Sequence, residues 1–100
     1  EQAYRLDQSA NSLAARAWAL YIDPSRRAEA PRARAMMQQA LQISPTCDRA
    51  HYQLGVVARV EGQAELAERH FREAVRSNPK HLEANQELRL IDMRRKRGQR

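Results

Sequence analysis

Few residues in this chain are suited to chemistry near neutral pH, and they are scattered. Cys47, His51, His70 and His81 are the candidates for nucleophilic or zinc chemistry. Cys47 and His51 stand four residues apart and share a face if that segment is helical. Two ligands do not make a tetrahedral zinc site, and no Cys-x-x-Cys accompanies them. A cysteine nucleophile needs a base and an orienting group beside it, and no spacing supplies them. The three glycines do not form a phosphate-cradling loop. The three histidines therefore read as packing or solvated positions. The sequence predicts no catalysis, no metal and no cofactor.

The other concentration of chemistry is cationic. Arg94, Arg95, Lys96, Arg97 and Arg100 are five of 18 basic residues, and the remainder nearly balance 12 acidic ones. The net charge of +6 is thus a property of the C-terminal end rather than of the whole surface. Such a cluster complements a helix dipole, binds nucleic acid or anionic lipid, or meets an acidic protein.

The elements that must position these residues are helices. Hydrophobic residues make up 42% of the 100 residues but aromatics only 5%, so burial falls to alanine, leucine, valine, isoleucine and methionine. Such residues favour helices packed closely through small side chains. No run of alternating β-branched residues exists, and the fold class read from this is all-α. A lone cysteine excludes an internal disulfide, and neither a secretory apolar core nor an apolar stretch of about 18 residues is present. A cytoplasmic location with no membrane span is expected. The chain opens at Glu1 within a helical pattern, so residues 1–10 read as the remnant of a preceding helix in a longer protein.

A repeat organises the rest. Leu20, Leu54 and Leu88 are each thirty-four residues apart, as are Ile22, Val56 and Leu90. The same offset links Ala33 with Ala67, Met37 with Phe71, Ala40 with Ala74, Leu41 with Val75, Pro45 with Pro79, and Ala50 with Ala84. Fixed-period self-similarity of this length marks stacked supersecondary units. In the clearest unit, Thr46 or Asp48 is expected to cap a helix running to about Val60, with Gly62 ending it. A second helix is expected from about Ala64 to Ser77, stopped by Asn78-Pro79. On the first helix His51, Leu54, Gly55 and Ala58 share a face, and on the second Ala67, Phe71, Ala74 and Val75 do. Gly55 and Ala67 are small, which lets the two helices approach, and Phe71 is the large knob. In the earlier unit Pro24 predicts a helix end near Ile22 or Asp23, then a loop or short turn, and Pro31 opens a helix to about Ile43.

The stretch His51-Tyr52-Gln53-Leu54-Gly55, followed by Ala67, Phe71, Ala74 and Pro79, resembles the tetratricopeptide signature of an aromatic-x-x-Leu-Gly start, then Ala, Phe, Ala and Pro. The resemblance covers residues 48–81 as a well-formed unit, 11–47 as a divergent one, 82–97 as a C-terminal capping helix, and leaves 98–100 as a basic tail. His51 stands where the family has its leading aromatic, and the glycine slot holds Tyr21 and Arg89 in the flanking units. It implies a right-handed superhelical stack of antiparallel helix pairs, about two and a half repeats, whose first helices line a concave wall. That wall receives peptides or helices of other proteins in the family. The residues left for it here are Trp18, Ile22, Arg49, Tyr52, Val56, Arg59, Gln86, Leu90, Met93 and Arg94, with Ala15 and Val60 beside them. They describe a groove that is apolar in the middle and lined with arginine, fit for a protein segment carrying apolar anchors and carboxylates.

Trp18 and Tyr52 also admit a second reading, as core aromatics buried against another unit or another copy of the chain. Other roles that fit the sequence are a nucleic-acid-binding repeat using Arg49, Arg59, Arg94 and the basic end, and a homodimerisation module. The Trp18-Ala19-Leu20-Tyr21 helix and arginine-rich end also resemble carboxyl-terminal parts of bacterial multidomain proteins, some with a J-domain, which implies a docking arm.

Some members of the family grip the carboxyl terminus of heat-shock chaperones with Lys, Asn and Arg on their inner helices. The corresponding places here hold Trp18, Ile22, Tyr52, Val56 and Gln86. A peptide ending in EEVD is accordingly expected not to bind measurably. Micromolar affinity in a calorimetric titration would contradict this.

Overall fold

Helix-favouring alanine, leucine, glutamate, glutamine and arginine fill the segments between the prolines, and those segments are helical. The computed structural model describes the backbone of residues 2–98 and the side chains of residues 5–98. Its helices are α1 (Gln2–Ile22), α2 (Ala30–Ile43), α3 (Asp48–Val60), α4 (Ala64–Ser77) and α5 (Leu82–Gly98), with a 3-10 segment at Pro24–Glu29. Glu1, Gln99 and Arg100 lie outside the described residues, so the expected basic tail is described only to Gly98. No strand forms among the described residues.

Proline, glycine and short polar side chains set the boundaries. α1 stops before Pro24, and the Asp23 carboxylate accepts from the Ser25 N–H at 2.9 Å and from its hydroxyl at 2.7 Å, which opens the 3-10 segment. Pro31 lies in the first turn of α2, where its missing N–H costs nothing. At the end of α3, Gly62 has φ of 81°, and its N–H reaches the Arg59 carbonyl at 3.1 Å. The Gln63 N–H reaches the Ala58 carbonyl at 2.8 Å, which completes a Schellman stop.

Two expectations meet a different geometry. Neither Thr46 nor Asp48 caps α3, because Cys47 occupies the N-cap position without a side-chain bond. The Asp48 carboxylate instead accepts from Asn78 Nδ2 at 2.9 Å, tying α3 to the turn after α4. The boundary expected between residues 10 and 11 coincides with no break in α1. Ala10 is fully buried and packs with Leu13, Ala14, Ala40, Cys47 and Ala50.

The five helices pack in sequence as adjacent pairs, α1 on α2 and α3 on α4, with α2 against α3 and α5 closing on α4. α1 also touches α3. The body measures 49 × 35 × 18 Å, two helix layers thick. The thirty-four-residue offset reappears in burial: Ala33 and Ala67, Met37 and Phe71, Ala40 and Ala74, and Ala50 and Ala84 are all at most 2% exposed. Leu54 packs against Ala33 and Met37, while Leu88 packs beside Ala67 and Phe71. Leu20 joins the same cluster as Leu54. The turns repeat as well. The Ser44 and Asn78 N–H groups bond Ala40 and Ala74 at 2.9 Å, and Cys47 and His81 bond back to the Ser44 and Asn78 carbonyls at 3.0 Å.

The tightest contact joins α3 to α4. A Cβ placed on Gly55 would lie 2.6 Å from Phe71 Cε1 and 2.7 Å from Cδ1, so the ring rests directly on the α3 backbone. At the equivalent place one unit earlier, the fully buried Met37 replaces the ring and Tyr21 replaces the glycine. A flexible thioether adapts to a side chain where a rigid ring does not.

Phe71→Ala is expected to cost about 3–5 kcal/mol and Gly55→Ala about 1–3 kcal/mol. On a Phe71→Leu background the glycine substitution should cost markedly less, because the ring it strikes is gone. Urea denaturation of Phe71→Ala, Gly55→Ala, Phe71→Leu and the Gly55→Ala/Phe71→Leu double measures this, and additive effects in that double would place Phe71 elsewhere.

Candidate functional site

A groove of about 580 Å³ opens on the side shared by α1, α3 and the start of α5. α1 contributes Asn11, Ala15 and Trp18; α3 contributes Asp48, Arg49, Tyr52 and Gln53; the turn after α4 and first residues of α5 contribute Asn78, Lys80, His81, Leu82 and Glu83. Helical spacing brings the α1 and α3 residues to one face, since positions three and four apart lie above one another. Pro79 and Lys80 form the turn between α4 and α5, and Lys80 and His81 line the groove.

Rings form its floor. The Tyr52 ring centroid is 6.2 Å from Trp18, 5.2 Å from His81 and 5.9 Å from Phe71, and Trp18 stacks on Tyr21 at 5.8 Å. Trp18 and Tyr52 are both half-buried: one side packs on the core and the other lines the groove. Burial, with Glu87 and Glu83 nearby, pushes the Tyr52 hydroxyl above its ordinary value, so it stays protonated and able to donate.

The polar groups have distinct states. The His81 ring accepts the Ala84 N–H through Nδ1 at 3.2 Å, which requires the proton on Nε2, the atom 3.9 Å from Asp48. Gln53 is only 3% exposed, and its Oε1 has no hydrogen-bond partner among the described residues. Arg49 is exposed, and neither it nor Lys80 has an ion-pair partner among the described residues. The groove therefore offers two free cations above an aromatic floor.

Of the residues expected on this wall, Trp18, Arg49 and Tyr52 converge in the groove. Arg59 lies farther along and pairs with Glu87 across α3 and α5 at 3.5 Å. Ile22, Leu90 and Met93 are exposed, at 56%, 46% and 52%, and Gln86 and Arg94 are exposed as well. Val56 is corrected: it is 7% exposed and lies in a cluster with Ala58, Ala67 and Phe71, against which Trp18, Leu88 and Ile91 also pack. Sequence reasoning missed Gln53, Asn78, Lys80, His81 and Glu83. Gln53 sits between apolar neighbours on a helix otherwise read as core, and Lys80 and His81 belong to a turn whose path periodicity does not encode.

Cys47 and His51 do not join a metal cluster among the described residues. The buried Cys47 thiol donates to Asn11 Oδ1 at 3.4 Å, and burial raises it above the ordinary thiol value, away from the nucleophilic form. His51 Nε2 meets the Pro45 carbonyl at 2.9 Å. The His51 and His70 rings lie 6.0 Å apart across α3 and α4. Among the described residues, no helix is long and apolar enough to cross a membrane. Neither a family model, nor a curated protein, nor a solved structure matches the chain.

Burial, then the nearby His51, lowers His70 below its ordinary 6.5. A histidine depressed in the folded state leaves the unfolded chain binding more protons, so its contribution is complete above about pH 6.5 and is lost as pH falls below that. The melting temperature should therefore drop between pH 7.5 and pH 5.5, and His70→Gln should flatten that drop. An unchanged slope in the variant would remove His70 from the effect.

Proposed function

We propose that the chain is a tetratricopeptide-like interaction module, a right-handed stack of antiparallel helix pairs that holds a segment of a partner protein on its concave side and catalyses nothing. The observation that supports this most is the row of Trp18, Tyr52 and His81 carried by three successive first helices or their caps, beneath the free Arg49 and Lys80. Rings of this kind supply contact area at small entropic cost, and unpaired cations beside them recruit carboxylates. The fitting partner is an extended or helical segment with an aromatic or aliphatic anchor and an acidic residue near it.

The arrangement is less suited to nucleic acid. Arg59 is engaged by Glu87 and Arg95 by Glu68 at 2.6 Å, which leaves a broken rather than continuous basic stripe. As a docking arm of a larger protein, the module would use the same groove.

Selection from a displayed random-peptide library is expected to enrich sequences that pair an apolar anchor with Asp or Glu. Binding should alter the fluorescence of Trp18, the single tryptophan. Trp18→Ala with Tyr52→Ala should weaken binding by about 100-fold while the helical circular dichroism persists. Unfolding of that variant would assign the rings to the core, and an unenriched library would end the groove reading. Affinity that falls steeply from about 50 to 200 mM salt, with capture of single-stranded nucleic acid, would favour the other class.

A further inference from the structure

The face of α5 turned away from the core carries exposed apolar residues among the described ones. Leu82, Leu90 and Met93 are 63%, 46% and 52% exposed. At about 100° of rotation per residue, these three and Gln86 fall within an arc of about 80°. That arc lies opposite Ala84, Leu88 and Ile91, and Leu88 and Ile91 pack into the core beside Phe71. The stripe is therefore additional to the face that holds α5 in place. An apolar stripe of this kind on a charged helix marks a contact surface.

Charge along α5 runs from acidic to basic. Glu83 and Glu87 lie in its first half, while Arg94, Arg95, Lys96 and Arg97 crowd its end. Arg94, Lys96 and Arg97 are exposed and have no ion-pair partner among the described residues. The Glu83 side chain is 63% exposed.

We propose that this face pairs with the same face of a second copy of the chain, the two α5 helices antiparallel about a two-fold axis near Leu88 and Arg89. Charge selects that occupant and that direction. An antiparallel pair sets the acidic start of each helix against the basic end of the other, twice by symmetry, and opposes their dipoles favourably. A parallel pair would place the unpaired cations together. Glu83 and Arg94 lie on the same edge of the stripe, and residues on one edge meet across an antiparallel pair. The Leu82 end of each stripe then covers the Met93 end of the other. Leu82 and Glu83 also border the groove, so the dimer face meets the groove rim beside Trp18 and Tyr52.

Sedimentation equilibrium across a wide concentration range tests it. The mass should rise from 11.6 kDa towards twice that value, and Leu90→Lys should hold it at 11.6 kDa with unchanged helix content. Glu83→Lys and Arg94→Glu should each weaken self-association by about tenfold, because two contacts reverse at once. An equimolar mixture of those two variants should restore it, since only the mixed pair has opposite charges at both contacts. A mass fixed at 11.6 kDa, a dimer indifferent to Leu90→Lys, or a mixture that does not recover would overturn the proposal. So would a chain that stays monomeric and binds phosphatidylserine vesicles through this face.

Discussion

The Phe71 ring lies on the bare backbone of Gly55, and much of the molecule's shape follows from that approach. With so few aromatics in the chain, the α3 and α4 pair cannot rely on many large side chains to fill a wide gap. It closes the gap instead, with Ala67 and Ala74 on α4 both nearly inaccessible to water. A short inter-helix distance leaves α3 pressed between its neighbours, and Val56 through Ala58 become interior along with Leu54. The middle of the wall is thereby sealed, and the opening shifts towards the N-terminal ends of α3 and α5, against the second half of α1.

That shift explains the character of the groove. Where helices begin, turns bring polar residues next to helix faces. Asp48, Asn78, Lys80 and His81 meet Trp18 and Tyr52 there, so a surface that would be purely apolar at mid-helix acquires hydrogen-bonding groups and charge. Asn78 bridges to Asp48, and His81 holds the first turn of α5 through Ala84, so these groups fix the turn while they border the opening. Local structure and candidate site are thus served by the same side chains.

The basic end of the chain is likewise divided by its surroundings. Arg95 is drawn back onto α4 by Glu68, whose carboxyl is held below its usual range by Arg72 first and then Arg95. Its neighbours Arg94, Lys96 and Arg97 project from other sides of α5 and remain unpaired among the described residues. A run of like charge in sequence becomes one fastening contact and a set of free cations, because a helix distributes consecutive residues around its circumference.

The sequence by itself determined the helices, their stops and the thirty-four-residue correspondence. Those features rest on local preferences: Pro24, Pro31, Pro45, Pro79 and Gly62 act on the backbone within a few residues, and alternation of small and large positions marks buried faces. The closeness of Gly55 to Phe71 was legible because only one geometry makes sense of a small residue opposite a ring. Tertiary structure alone decided that Val56 is interior, that Asp48 serves Asn78 rather than its own helix, and that Gln53 and His81 border the groove. Each of these depends on how neighbouring pairs are tilted and how turns are routed. That information is carried by contacts between residues far apart in the chain, which helical periodicity within a single segment does not contain.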